Sequence, residues 1–359
     1  MKLNRRTLSK TLLGAFAARA IGRAQNPAPV VGNGWITDVG GIKVGHWKDT
    51  RRPTGCTVLL FENGAICGVD VRGGWPGTRL TDALDPVKGA SNTIRVDAIA
   101  LSGGSSYGLA TATGVEQFVR EQYIRKMGSR AKDRPWVPAV PAAIIYDIEL
   151  GDWTITPGAE AGYKACEAAA SGAVAEGNEG AGTGATIGKM FGMTQAMKSG
   201  LGTSSIRVGD TGVVVGAIAS VNALGDVIDP RTGKIVAGAR RKDGKGFLSE
   251  IDHLRQGHGL RRRNENTTIA VVATNARFNK TEMSKIAQMA SAGMARAVNP
   301  VFTTDDGDTI FAVSTGGSDF AAEAGAVGAI AAEALSEAIL RAVMNAEGLP
   351  GLPAWRDLS

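Results

Sequence analysis

Between residues 56 and 344 the chain alternates short apolar runs with long helical patterns, and this alternation limits its possible folds more than any other feature. Runs of the buried-strand type lie at 56–61, 65–71, 97–101, 142–148, 212–221, 268–274 and 309–314. Helical spacing occupies 105–126, 159–170, 280–297 and 320–344. The last of these is Ala-rich and almost uncharged on one face, as expected of a helix packed on a sheet. Strands interleaved with long helices predict an α/β fold (α+β layered). Forty-nine glycines among 359 residues add tight turns and close backbone approaches. A hydrophobic share of 43% with 21% charged residues excludes a disordered chain.

The formal charge of +6 would suggest nucleic acid or an anionic membrane as a partner. Its distribution removes that suggestion. Residues 1–24 hold Lys2, Arg5, Arg6, Lys10, Arg19 and Arg23 with no acid, so residues 25–359 are formally neutral. The paired Arg5-Arg6, a short apolar stretch over 12–20 and small residues at Ala20 and Ala24 resemble a twin-arginine export signal. Such a signal would place the protein in the periplasm, and an unused one would leave it cytoplasmic. Residues 25–35 read as a linker, with Pro27 and Pro29. A second basic stretch spans 238–266, with eight bases against four acids, and reads as an exposed, mobile connector between two apolar blocks.

Several chemistries are excluded by counts. Cys56, Cys67 and Cys166 lie far apart without C-x-x-C spacing, which argues against a zinc ribbon or a disulfide scaffold. The three histidines, His46, His253 and His258, are too few for chemistry that needs several imidazoles.

Four motifs remain. Gly104-Ser105-Ser106-Tyr107-Gly108 fits the G-x-S-x-G nucleophile elbow between a strand and a helix, but reads first as a Gly/Ser turn whose helix start could hold an anion. Residues 182–189 resemble a phosphate loop but carry Thr183 in place of the first Gly and Met190 in place of the Mg²⁺-binding hydroxyl. The loop still brings Lys189 and flexible backbone to one point. Asp305-Asp306-Gly307-Asp308 lacks EF-hand spacing. Two of its carboxylates held close would share a proton and orient a nucleophile. Asn266-Thr267-Thr268 stands where the basic connector ends and an apolar strand begins.

Nine stretches taken in order resemble one family. They are ITDVGGIKVGHW (36–47), GVDVRGGWPGTRLTDAL (68–84), DAIALSGGSSYGL (97–109), VPAAIIYDI (140–148), GAGTGATIGK (180–189), LGTSSI (201–206), VNALGDV (221–227), NTTIAVVATNA (266–276) and DGDTIFAVSTG (306–316). The family is that of L-aminopeptidase/D-esterase-amidases, β-aminopeptidases and 6-aminohexanoate-oligomer (nylon oligomer) hydrolases. The resemblance implies a four-layer αββα sandwich of the autoprocessing N-terminal-nucleophile type. It implies a cut between Asn266 and Thr267, giving an α chain over 36–266 and a β chain over 267–359.

The same resemblance assigns roles. Thr267 would be the nucleophile, with its freed α-amine as general base. Lys189 would lower the pKa of that amine, Asn222 would stabilise the oxyanion, and Asp306 with Asp308 would orient Thr267. Tyr146 would line the substrate site, with Ser106 and Tyr107 in its wall. Phe302 stands where relatives often carry a histidine, so no imidazole role applies there. No metal or cofactor is called for, and no nucleic acid or membrane partner is expected. The substrate would be a small peptide or an oligoamide, and relatives suggest a homotetramer of αβ units. Two other classes compete: a serine esterase or amidase working through Ser106, and a non-catalytic binding protein on the same fold.

Overall fold

The computed structural model describes residues 34–89, 95–259 and 266–358. The export segment expected at 1–24 and most of the linker lie outside the described residues, as do 260–265 of the basic connector. The main strands are β1 (Ile42–Lys48), β2 (Gly55–Val71), β3 (Val96–Ser102), β4 (Ala142–Ile144), β5 (Leu201–Arg207), β6 (Val214–Asn222), β7 (Thr267–Thr274) and β8 (Thr309–Ser314). Four helices cover them: α1 (Thr111–Met127), α2 (Ala159–Glu167), α3 (Lys280–Ala297) and α4 (Ala324–Met344).

The strands run in the order β4-β3-β2-β8-β7-β6-β5, with β1 also paired to β2. The long strand β2 joins two halves. Its residues 55–60 pair with β1 and β3, a register shift follows, and residues 66–71 pair with β8. The two apolar runs expected over 56–61 and 65–71 are therefore one strand that leaves one sheet and enters the other. Bulges bend and twist a strand in this way.

Side-chain alternation turns these sheets into layers. In β7, Ile269, Val271 and Ala273 join Leu59, Ile99, Leu101, Ile218, Phe311 and Val313 in one core, while Ala270 and Val272 face another. That second core includes Val215, Ala217 and Ala219 of β6 with Met283, Ile286 and Ala290 of α3 and Ala331, Leu335 and Ala338 of α4. A third core joins Cys56, Val58, Ala98 and Ala100 to Ala112 and Val115 of α1 and Ala161 and Ala165 of α2. Strands that contribute residues alternately to two cores are buried on both faces, which explains their unbroken apolar runs. Three cores in register make four layers: helices, sheet, sheet, helices.

Some boundaries differ from the sequence expectation. The helix expected over 105–126 begins as a 3-10 segment, Ser105–Ala110, because Gly104 and Ser105 both take positive φ. The strand expected over 142–148 stops at Ile144, where the chain turns into the site. Strand β5 was not evident from LGTSSIR because its buried positions are hydroxyls. Each finds a partner: Thr203 donates to the Ala217 carbonyl, Ser204 to Ala334, and Ser205 to the Asp38 carboxylate. The described part of the basic connector is built as well. A bridge joins Arg240 to Phe247, Ser249 caps the helix Glu250–Arg255, and Glu250 is fully buried. Among the described residues no helix is long and apolar enough to cross a membrane.

Candidate active site

Thr267 opens β7, and antiparallel pairing sets it directly opposite Asn222, the last residue of β6. Its exposure is 4%. In the intact chain its hydroxyl donates to the Asn266 carbonyl oxygen at 2.5 Å. The Gly307 amide donates to the same oxygen at 2.8 Å. Two donors on one carbonyl oxygen, the Thr267 hydroxyl and the Gly307 amide, draw electrons from its carbon. Glycine is required at 307. A Cβ there would lie 2.8 Å from Thr267 Oγ1 and 2.7 Å from the Trp75 carbonyl oxygen. Sequence reading passed over this residue as the middle of an acidic turn.

The acidic turn folds back on β7. Asp308 accepts from the Thr268 amide at 2.6 Å and from the Phe302 amide at 3.1 Å. Asp306 accepts from the Thr303 amide at 2.6 Å, and its own backbone forms a bridge with Asn266. Both carboxylates are thus committed to main-chain donors rather than arranged as a cation cradle. Burial, and then the neighbouring Asp306 charge, push the Asp308 carboxyl up to about 7, against the pull of its two amide partners. Burial likewise raises Asp306. The Lys189 ammonium opposes both shifts, so it lies within electrostatic reach of the pair. Phe302 has positive φ and contributes its amide, with the Arg72 guanidinium 5.6 Å from the centre of its ring.

Lys189 is buried, and its ammonium donates to the Asn222 carbonyl at 3.1 Å. The preceding Gly188 has φ +69°, a left-handed turn that aims the lysine inward. The Asn222 side chain is clamped at both ends. Its Oδ1 accepts from the Thr186 amide at 3.0 Å and the Thr186 hydroxyl at 3.2 Å, while its Nδ2 donates to the Tyr146 carbonyl at 3.0 Å. The two Thr186 bonds place the oxygen, and hence the amide nitrogen, without ambiguity. Thr267, Lys189, Asn222, Asp306, Asp308 and Asn266 therefore meet in one place, with Tyr146 joined through its carbonyl.

Ser106 is not built as a nucleophile. Among the described residues no histidine hydrogen-bonds it, and it is exposed. The strained position of the turn is Ser105, at φ +54°, whereas an elbow needs the strain on the serine that attacks. His253 meets Phe191 edge-on at 4.8 Å between ring centres and stacks on His258 at 4.3 Å. Tyr107, next to Ser106, is also exposed.

Behind Lys189 sits a second carboxyl pair that the motifs did not reveal. Asp226 accepts from the Glu250 and Ala239 amides, and Glu250 accepts from the Met190 amide. Burial pushes Asp226 up to about 7 and, with the Asp226 charge, raises Glu250 well above its ordinary range. The basic connector is thereby docked beside the catalytic lysine candidate.

Comparison with known proteins shows the family and the fold. The profile of peptidase family S58 matches residues 34–354. An uncharacterized aminopeptidase of Mycobacterium bovis is 40% identical over 351 residues, covering 90% of this chain and 97% of its own. A 6-aminohexanoate-oligomer endohydrolase of Kocuria sp. is 31% identical, covering 85% and 84%. In structure, the L-aminopeptidase D-Ala-esterase/amidase of Ochrobactrum anthropi, described as a variant of the Ntn hydrolase fold, superposes with TM-score 0.63 at 20% identity and 89% coverage of both chains. A β-aminopeptidase of Burkholderia sp. gives 0.61 at 21% identity and the same coverage of both chains. With its four-layer αββα sandwich, a variant of the Ntn hydrolase fold, the chain belongs to peptidase family S58 and is a hydrolase of amide and peptide bonds.

Proposed function

We propose that the protein cuts itself between Asn266 and Thr267 and then uses Thr267 to hydrolyse small peptides or oligoamides. The observation that carries this reading is the convergence of the Thr267 hydroxyl and the Gly307 amide on the Asn266 carbonyl oxygen. In the first reaction the Thr267 oxygen attacks the Asn266 carbonyl carbon. The C–N bond breaks, the hydroxyl proton passes to the departing nitrogen, and an ester remains. Water then cleaves the ester, leaving a carboxylate on Asn266 and a free amine and hydroxyl on Thr267.

The freed α-amine, with an ordinary pKa of about 7.7–8.0, serves as base for its own hydroxyl. Attack on a substrate amide gives an acyl-enzyme, the leaving amine takes the proton, and water completes the cycle. Asn222 is the oxyanion donor, and Lys189 favours the neutral amine through like-charge repulsion. Asp308 fixes the second residue of the new chain through the Thr268 amide. The wall includes Tyr146, Ser106 and Tyr107. No cofactor enters any step.

The names of the relatives support two substrate classes, amino-terminal amides of peptides and oligoamides of 6-aminohexanoate. A homotetramer of αβ units and export through the 1–24 segment complete the proposal. Thr267→Ala is expected to remain a single uncut chain without amide hydrolysis. A cut or active Thr267→Ala protein overturns the assignment.

A further inference from the structure

Asn222 is clamped between Tyr146 and Thr186, and both clamps trace back to one carboxylate. We infer that Asp147, held by Arg52, is the positioning residue that sets the orientation of the Asn222 amide. This rests on the reading of Asn222 as oxyanion donor.

Asp147 is the residue after Tyr146, so its placement fixes the plane of the Tyr146 carbonyl. Its carboxylate accepts from Arg52 Nη2 at 2.5 Å, from the Thr54 hydroxyl at 2.7 Å and from the Gly104 amide at 2.8 Å. Its own carbonyl accepts from Arg52 Nη1 at 3.0 Å. Both side chains of the ion pair have no exposure. Such a pair is weak evidence for stability, because the cost of desolvating two charges offsets their attraction. A structural purpose alone would be served as well by two apolar residues. What the charges add is direction: a planar guanidinium that grips both the Asp147 carboxylate and the Asp147 carbonyl confines the backbone at Asp147, from which the peptide plane carrying the Tyr146 carbonyl extends.

The second clamp is tied in by contact. Gly184, two residues before Thr186, presses against the same carboxylate, since a Cβ there would lie 2.5 Å from Asp147 Oδ2. A Cβ on Gly103, which leads into the Ser106 turn, would lie 2.1 Å from that oxygen. The Lys198 ammonium, buried nearby, donates to the Gly182 carbonyl and steadies the loop from its other side. Three segments that form the site, 103–107, 144–147 and 182–189, therefore take their places from one side chain.

The test uses Thr54→Val, which removes one donor to Asp147 while keeping shape and charge. With kcat expressed per mole of cut protein, it is expected to fall about tenfold, equivalent to about 1.4 kcal/mol, with KM little changed. The melting temperature should move by no more than a few degrees. In an Asn222→Ala background the same substitution should change kcat by less than about twofold, because its effect travels through Asn222. Unchanged kcat in Thr54→Val, or an equal fall in both backgrounds, overturns the inference. A second variant, Arg52→Met with Asp147→Leu, removes the charges together. It should melt near the parent yet keep the lowered kcat, whereas kcat restored along with stability overturns the positioning role. If Asn222→Ala itself leaves kcat unchanged, the oxyanion reading fails, and this inference falls with it for that separate reason.

Discussion

Gly307→Ala is the most telling single substitution, because the geometry predicts both its target and its size. The added Cβ would lie 2.8 Å from Thr267 Oγ1, 3.3 Å from Thr267 Cγ2 and 2.7 Å from the Trp75 carbonyl oxygen. Neither neighbour yields easily. One is backbone, and the other is a β-branched side chain with few χ1 choices on a buried strand. Relieving the overlap requires a shift of about half an ångström, which stretches the Gly307 amide contact with Asn266 beyond useful hydrogen-bond length. Loss of one such donor from a developing oxyanion slows acyl transfer by roughly 10²–10³, or about 2.7–4 kcal/mol. Overpacking costs about 1–3 kcal/mol of stability in addition. The assay follows first-order conversion of the single chain to two by intact mass at fixed temperature, with the melting temperature measured in parallel. Conversion at the parent rate with a lowered melting temperature would refute the role given to Gly307.

Other outcomes follow from the same geometry. If the proposed mechanism holds, with the Thr267 α-amine as base and an ionised Asp308 holding the Thr268 amide, both groups lose protons as pH rises, Asp308 from about 7, so log kcat/KM should climb between about pH 6 and 8 with a slope above one. Asp308→Asn should lower kcat and reduce that slope to about one, and an unaltered profile would contradict the role of Asp308. Glu250 titrates above its unfolded value, so folding is favoured at low pH and loses stability as pH rises from the ordinary carboxyl range through the raised folded pKa. Glu250→Gln should therefore melt higher than the parent above pH of about 7, with the gain shrinking toward about pH 4; a gain that grows toward low pH reverses the assigned sign. Ser106→Ala should keep kcat within about twofold, since among the described residues no histidine hydrogen-bonds that serine and its turn is strained at Ser105.

The layered fold was legible because strands buried on both faces leave unbroken apolar runs, as at 268–274 and 309–314. Strand β5 was hidden because Thr203, Ser204 and Ser205 satisfy their hydroxyls across layers, which no local pattern reveals. The candidate site at Asn266-Thr267, Lys189 and the acidic turn was legible through the family resemblance, because spacing alone did not distinguish Asn266-Thr267-Thr268 from an ordinary turn. Gly307 carried no signal of its own because its contribution is an amide and an absent side chain. Asp147 and Glu250 were invisible for another reason. Their partners, Arg52 at one and Asp226 with Met190 at the other, stand far away in sequence and meet them only in the folded molecule.

The central claim is that the peptide bond before Thr267 is broken in the active protein. Intact mass with N-terminal sequencing of freshly purified, active enzyme tests it directly. The account predicts two chains whose masses sum to that of the chain before this cut plus one water, the smaller beginning Thr267-Thr268-Ile269. Full amide hydrolysis by a chain uncut at Asn266-Thr267, or a smaller chain that begins at any residue other than Thr267, would contradict it.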